Sequence, residues 1–288
     1  MLIGICGAGT MGAGIAIAAI QNGHNALLFD IQQTSRERGE AFIIKQIDKA
    51  VARNLMTREA ADAALENYSF TDKLEDFASC EIVIEAVVER RDVKDELFAK
   101  LEGILPETAI LATNTSSISI ASLAAELRHP ERFIGMHFFN PAHIMKLVEV
   151  IRGPKTHPEV VEKTVALAKS MRKSPAVAAD VPGFIVNRVA RNFYNEAQRI
   201  CTERTATIEQ VDTLMKNAGF RMGPFELMDL IGVDTNLEVT KSVWAQYFNE
   251  PRFQPSLMQQ QYVDAKMWGR KTGEGFYKYD QDGNKVAR

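Results

Sequence analysis

The sequence predicts an α/β domain built on a mainly parallel sheet, followed by a domain made of helices alone. Three observations carry this prediction. A G-x-G-x-x-G run lies between an apolar strand and a helix near the N-terminus. Short apolar runs then alternate with helical stretches as far as residue 181, the pattern of βαβ units. From Phe184 onward the periodicity is helical throughout. Pro182-Gly183 marks the change, so the expected domains are 1–183 and 184–288. A chain of 288 residues is long for one core, which agrees with two.

Taken in order, Leu2-Ile3-Gly4-Ile5-Cys6 reads as a buried strand. Gly7-Ala8-Gly9-Thr10-Met11-Gly12 follows at once. In such a run Gly7 permits the tight turn, Gly9 lets the backbone approach a pyrophosphate, and Gly12 lets helix pack on strand. The helix to Ile20 offers unpaired N–H groups at its start, so Gly7, Gly9, Thr10, Met11 and Gly12 are the expected phosphate cradle. Asn22-Gly23 stops the helix, and Asn25–Phe29 is a second strand ending at Asp30. Asp30 follows Gly12 by 18 residues, where a carboxylate accepts from ribose hydroxyls. It would repel a 2′-phosphate, and Ile31-Gln32-Gln33 place no cation beside it, so the expected cofactor is NAD rather than NADP. Residues 1–29 contain no Asp, Glu, Lys or Arg. The glycines and the missing basic start argue against a signal peptide or a membrane span.

A helical stretch follows over about 34–66, with Lys45, Lys49 and Arg53 on one face. That face is either solvated or a docking strip for a phosphorylated ligand. Strands are expected at Glu81–Val88, Ala109–Asn114 and Phe133–Phe139, with helices at about 92–103 and 119–127 between them. Lys146–Ile151 is joined to the preceding strand by the short loop Asn140–Met145, so that pair must be antiparallel. Thr156 and Glu159 form an expected capping box for a helix to about Met171, before a last strand near Ala176–Ala179. The second domain has helices at Phe184–Glu203, Ile208–Ala218, Pro224–Ile231, Asp234–Phe248 and Ser256–Trp268. Thr207 and Gln210 resemble a capping box, and the polar tail from Asp280 is expected to fray.

The antiparallel hairpin carries the chemistry. If it turns about residue 143, His137 and Glu149 stand symmetrically on either side and face each other. An imidazole backed by a carboxylate is a positioned general base, of the kind that takes a hydroxyl proton while hydride leaves a secondary alcohol. Asn114-Thr115-Ser116-Ser117 ends a parallel strand at the ligand side of the sheet. There Ser116 can donate to a substrate oxygen and Asn114 can orient its neighbours, or the segment is simply a helix cap. Asn187 begins the second domain's first helix and is a further candidate. His24 and His129 read as ordinary loop residues, and His143 and His157 have no evident carboxylate partner. The net charge of −3 gives no field for nucleic acid. Cys6, Cys80 and Cys201 are widely spaced, which argues against a metal site and for free thiols in a reducing compartment.

Over essentially its whole length the chain resembles the 3-hydroxyacyl-CoA dehydrogenase family, which includes 3-hydroxybutyryl-CoA dehydrogenases. The resemblance lies in GAGTMGAGIA (7–16), VIEAVVE (83–89), ATNTSSISI (112–120), GMHFFNP (135–141), MKLVEVIRG (145–153), PGFIVNR (182–188), MGPFELMDLIG (222–232) and GRKTGEGFY (269–277). It implies a Rossmann-like NAD domain and an all-helical C-terminal domain that often forms a dimer interface. It implies His137 as general base, Glu149 as its partner, and Ser116 and Asn187 as substrate contacts. For NAD it implies Asp30, Glu89, Lys94, Ser116, Asn140 and Lys271, beside the glycine loop and Asn114. For coenzyme A it implies Arg53, with Lys49 beside it. Gln46, where some members have Ser, and His143, in a loop usually apolar, depart from the pattern. The expectation is a cytoplasmic homodimeric dehydrogenase of L-3-hydroxyacyl-CoA, with 3-hydroxybutyryl-CoA as substrate. NRVARNFYNEA (187–197), GFRMGPFELMDLIG (219–232) and RFQPSLMQQ (252–260) also look like the 3-hydroxyadipyl-CoA dehydrogenases of phenylacetate breakdown. The acyl chain of those enzymes' substrate ends in a carboxylate, for which Arg188, Arg191 and Arg221 are the candidate cations. A non-catalytic, crystallin-like NAD-binding protein is the contrasting expectation, against which an intact His137–Glu149 pair argues.

Overall fold

Leu2–Cys6 (β1) and Asn25–Phe29 (β2) pair in parallel, with Thr10–Ile20 (α1) crossing between them, in the computed structural model of this protein, which describes residues 1–286. The chain continues as Gln33–Ala52 (α2), Arg58–Leu65 (α3), Tyr68–Thr71 (β3), Ile82–Glu85 (β4), Arg91–Ile104 (α4), Ile110–Thr113 (β5) and Ile120–Ala124 (α5). Phe133–Phe138 (β6), Leu147–Arg152 (β7), Pro158–Ser170 (α6) and Ser174–Ala179 (β8) complete one eight-stranded sheet in the order β3-β2-β1-β4-β5-β6-β7-β8. Strands β1 to β6 are parallel, β7 runs against β6, and β8 runs with β7. The winding direction reverses between β1 and β4, so the crevice for a ligand opens at the carboxyl ends of those strands.

The central strands β1, β4, β5 and β6 are buried on both faces, as their continuous apolar runs require. Ile3 and Ile5 of β1 join α1, α2 and α6 in one core, with Ile15, Ile43 and Leu167. Cys6 joins the other, with Phe77, Phe98, Leu123 and Phe133. Helix α1 is apolar all round because it is covered all round: every residue from Gly12 to Ile20 is buried.

Four local expectations are corrected in this unit. The helix expected over 34–66 is two, because Asn54 takes a left-handed φ of 55° and the Thr57 hydroxyl starts α3 by accepting from the Ala60 N–H. Tyr68–Thr71, left without a strand by the sequence pattern, forms β3 at the sheet edge against β2. Helix α5 is only five residues long. Finally, His157, not Thr156, caps α6. Thr156 is buried, donating to the Phe133 carbonyl at 2.7 Å and accepting from the Gly153 N–H at 3.0 Å.

Met1–Phe184 forms one compact unit, and the chain from Ile185 forms another. The second contains Val186–Thr202 (α7), Ile208–Asn217 (α8), Pro224–Ile231 (α9), Val233–Gln246 (α10) and Leu257–Asp264 (α11). Both hydrogen bonds of the Thr207/Gln210 capping box are present at the start of α8. The tail does not fray where it is described: Lys278–Tyr279 (β9) and Lys285–Val286 (β10) form an antiparallel hairpin. Asp229 holds this end in place, accepting from the N–H groups of Phe276 and Tyr277 and from the Tyr279 hydroxyl, each at 2.9 Å. Asp212 does the same for α9, accepting from the N–H groups of Phe225 and Glu226 and from the Tyr277 hydroxyl. Burial raises the pKa of both carboxyls despite these bonds.

Candidate active site

The glycine loop is a backbone cradle. Gly7 has φ of +102°, and a Cβ there would lie 2.6 Å from the Ala86 carbonyl oxygen. A Cβ on Gly12 would lie 1.8 Å from the Gly7 carbonyl oxygen, so helix and turn tolerate no side chain. At Gly9 a Cβ would meet nothing within 4 Å, leaving its backbone open to a ligand. Helix α1 has no side-chain cap and no acid in its first turn, so the N–H groups around Thr10 and Met11 and the positive dipole end face outward. A cleft of about 550 Å³ adjoins this loop, lined by Gly7, Gly9, Asp30, Val87 and Leu97 among others. These features fit a dinucleotide.

Asp30 stands at the end of β2 as expected, but its carboxylate is already engaged by the backbone. Oδ2 accepts from the Ala8 N–H at 3.1 Å and Oδ1 from the Gln32 N–H at 3.0 Å, which pins the glycine loop to the second strand. The expectation of no cation nearby is corrected. Arg36 of α2 folds back to donate to the Asp30 carbonyl at 2.6 Å, and it pairs with Asp72 at 3.6 Å.

Glu89, Lys94 and Ser116 belong to one ionic network with a buried centre, at Lys94 and Glu85, that the sequence reading missed in part. Lys94 is 1% exposed, and its ammonium lies 2.6 Å from Glu85 and 3.0 Å from Glu89. Glu85, at the end of β4, also accepts from the Thr113 hydroxyl and the Val87 N–H. Glu89 accepts from the Thr115 hydroxyl at 2.6 Å and from the Ser116 N–H at 2.9 Å. The cluster thereby fixes the turn that presents Ser116. Burial pushes the Glu89 pKa up, but Lys94 and these hydrogen bonds outweigh it and hold the carboxyl below its usual value. The only hint of Glu85 in the sequence is an acid ending an otherwise apolar strand. Asp180 was missed too: it caps α5, accepting from Ser119, Ile120 and Ala121.

His137 and Glu149 face each other across β6 and β7, and Nδ1 lies 2.8 Å from Glu149 Oε2. Both are buried, at 6% and 1% exposure. The imidazole packs against Phe139 and Phe184, with ring centroids 4.5 and 5.9 Å away. With Nδ1 held by the carboxylate, Nε2 is the nitrogen that can accept a proton. The Asn114 side chain accepts from the Phe138 N–H at 2.8 Å, tying the end of β5 to the strand that carries His137.

The remaining candidates lie on other elements. Asn140 is exposed after β6, and Lys49 and Arg53 are exposed on α2 and at its C-cap. Gln46 and His143 line a separate cleft of about 340 Å³ with Lys146, Arg172 and Lys173. Burial lowers the His143 pKa, and the charges of Lys173 and Lys49 lower it further. Asn187 lies in the first turn of α7 in the second unit, where Lys271 pairs with Asp234 at 2.6 Å. No cluster of metal-binding side chains occurs among the described residues, nor any helix long and apolar enough to cross a membrane.

Comparison with known proteins matches residues 2–181 to the family model "3-hydroxyacyl-CoA dehydrogenase, NAD binding domain" and residues 183–279 to "3-hydroxyacyl-CoA dehydrogenase, C-terminal domain". A 3-hydroxyadipyl-CoA dehydrogenase of Escherichia coli is 45% identical over 96% of this chain, which spans 58% of that longer relative. A probable 3-hydroxybutyryl-CoA dehydrogenase of Deinococcus radiodurans is 41% identical, covering 97% of this chain and 100% of the relative. The crystal structure of an (S)-3-hydroxybutyryl-CoA dehydrogenase from Ralstonia eutropha superposes with a TM-score of 0.94 at 38% identity, covering 97% and 99% of the two chains.

Proposed function

The chain belongs to the 3-hydroxyacyl-CoA dehydrogenase family, and from that premise we propose that it interconverts L-3-hydroxyacyl-CoA and 3-oxoacyl-CoA with NAD. The observation that carries the reading is the buried His137–Glu149 pair, held at 2.8 Å beside the carboxyl edge of a sheet whose first crossover is a phosphate cradle. NAD, when bound, supplies the hydride acceptor. Gly7, Gly9, Thr10, Met11 and Gly12 would hold its phosphates and Asp30 its ribose, with Glu89, Lys94, Asn114, Ser116, Asn140 and Lys271 as further contacts. His137 takes the substrate's hydroxyl proton on Nε2, and Glu149 fixes its tautomer and stabilises the imidazolium. Ser116 and Asn187 are each taken as substrate contacts, and Lys49 and Arg53 as contacts of the coenzyme A phosphates.

3-Hydroxybutyryl-CoA is the substrate favoured by the relatives matched over their full length. A terminal carboxylate, as in 3-hydroxyadipyl-CoA, is the second reading, favoured by the 45% identical relative. We divide the chain into an NAD-binding part, 1–183, and a helical part, 184–288. We take the helical part as the face of a homodimer, because Phe220, Leu230, Phe248 and Leu257 expose large apolar side chains there. A reducing cytoplasm suits the free thiols of Cys6, Cys80 and Cys201. The test is loss of NADH absorbance when purified protein meets acetoacetyl-CoA. Rapid oxidation is expected. Failure with acetoacetyl-CoA and with longer and carboxylated 3-oxoacyl-CoAs would overturn the reading.

A further inference from the structure

The second unit buries a positive charge for which its described residues supply no negative partner. Arg191, on α7, is 2% exposed. Its Nε donates to the Asn187 carbonyl at 3.3 Å, and its Nη1 donates to the Asn236 carbonyl at 2.8 Å, to Asn236 Oδ1 at 3.4 Å and to the Thr240 hydroxyl at 2.6 Å. Every one of these acceptors is neutral. The Tyr194 ring lies against the guanidinium, 5.0 Å from centroid to Cζ. Burial pulls the pKa down to about 10, so the group is still charged at neutral pH. A buried charge without a counter-charge is among the costliest features a fold can carry.

Its neighbour is short of an acceptor too. Asn236 is 1% exposed, and its amide orientation is fixed because Oδ1 accepts from both Gln259 Nε2, at 3.0 Å, and Arg191. That leaves Nδ2 as a buried donor without a partner. Trp244 Nε1, farther along the same face of α10, and the hydroxyl of Tyr247 at its C-cap are also unpartnered. Arg188 lies over the Tyr247 ring at 5.3 Å. On α7 Asn195 Oδ1 and Gln198 Oε1 are orphan acceptors, and a water molecule can serve any of these neutral groups, donor or acceptor. A water cannot neutralise Arg191.

We propose that the α7 and α10 face at Arg191 is a carboxylate-binding site, in which Arg191 and Asn236 Nδ2 donate to a carboxylate carried by a ligand. Two ligands offer that chemistry: an acyl-CoA whose chain ends in a carboxylate, and a free dicarboxylate. Asn187, assigned above to the substrate, stands one turn before Arg191 on α7 and favours the first. That choice of source rests on the dehydrogenase reading; the carboxylate site itself does not.

The experiment compares kcat/KM for 3-hydroxyadipyl-CoA and 3-hydroxybutyryl-CoA, and melting temperature with and without adipate, in the wild type and in Asn236→Asp. The substitution sets a carboxylate beside Arg191 where the unpaired amide now lies. The site favours the second of the two substrate readings above over the first, so the wild type is expected to turn over the carboxylated ester at least about tenfold better, the worth of one charge-assisted hydrogen bond. Saturating adipate is expected to raise its melting temperature by about 4 °C. Asn236→Asp should melt above the wild type and lose both responses. An ester preference alone supports the site with the substrate as its ligand, and an adipate shift alone supports it with a free dicarboxylate. Equal turnover of both esters with no adipate shift would overturn the site while the dehydrogenase reading stands. An Asn236→Asp protein that melts lower and still responds would overturn it as well. If neither ester is oxidised, the dehydrogenase reading fails and the melting curves still decide the site.

Discussion

His137 is where the proposed chemistry can be tested most sharply. His137→Gln keeps the ring's approximate volume but removes the base, so kcat should fall by about 10²–10⁴ with NAD affinity nearly unchanged in a fluorescence titration. A fall of less than tenfold would place the base elsewhere. Asp30 supports a second expectation: kcat/KM with NADH should exceed that with NADPH by at least about 100-fold, because a 2′-phosphate would meet a carboxylate. Comparable efficiencies would show that Arg36, 2.6 Å from the Asp30 carbonyl, can be turned toward a phosphate. The His137–Glu149 pairing was legible in the sequence because a short loop forces an antiparallel register, and register is arithmetic. Glu85 and Arg36 were not. Each acts through a partner on a neighbouring helix, Lys94 of α4 and the return of α2, which no local pattern announces.

At the scale of the element, α2 and α9 carry distinct predictions. Reversing the charges of Lys49 and Arg53 should raise KM for CoA esters several-fold and leave kcat near its original value, measured by steady-state kinetics. Asp229→Asn turns one acceptor into a donor facing the Phe276 and Tyr277 N–H groups, and should cost about 3 kcal/mol in urea unfolding. The buried Asp229 and Asp212 carboxyls also have a pH signature. Their pKa values are raised on folding, so the folded state holds protons that the unfolded chain has released. Stability therefore falls as pH rises from the ordinary value of 3.8 through the raised values, and Asp229→Asn should flatten that slope. Most strands were legible because buried parallel strands are unbroken apolar runs. Strand β3 was not: it is four residues long, lies at an edge, and follows a helix with only Glu66 and Asn67 between. The break in the long helix was hidden as well, because a left-handed Asn54 and a capping Thr57 lie within a helical periodicity.

For the whole molecule, acid should be the destabilising direction near neutrality. His24 and His143 both have pKa values lowered from 6.5, chiefly by burial. Their contribution is complete above about pH 6.5, where the unfolded chain is also neutral. It is lost as pH falls from there through the lowered folded values. Unfolding midpoints measured from pH 7.5 to 5 should decline, and His143→Gln should remove part of the decline. The overall plan, parallel sheet first and helices after, followed from periodicity alone. The terminal hairpin escaped it because a polar tail looks alike whether free or stapled by Asp229.

The one reversed step in the sheet, β6 against β7, has a consequence for how this protein can vary. The base and its carboxylate are held together by ladder hydrogen bonds between adjacent strands, and the loop over residues 139–146 that joins their ends is anchored by Ala142 in the core and by Lys173, which donates to the Ala142 and Met145 carbonyls. The exposed side chains of Ile144 and Met145 should therefore tolerate substitution, and sequence drift there can reshape the surface over a fixed chemical core. A single-residue slip within either strand would instead turn one partner to the opposite side of the sheet and silence the pair at a stroke.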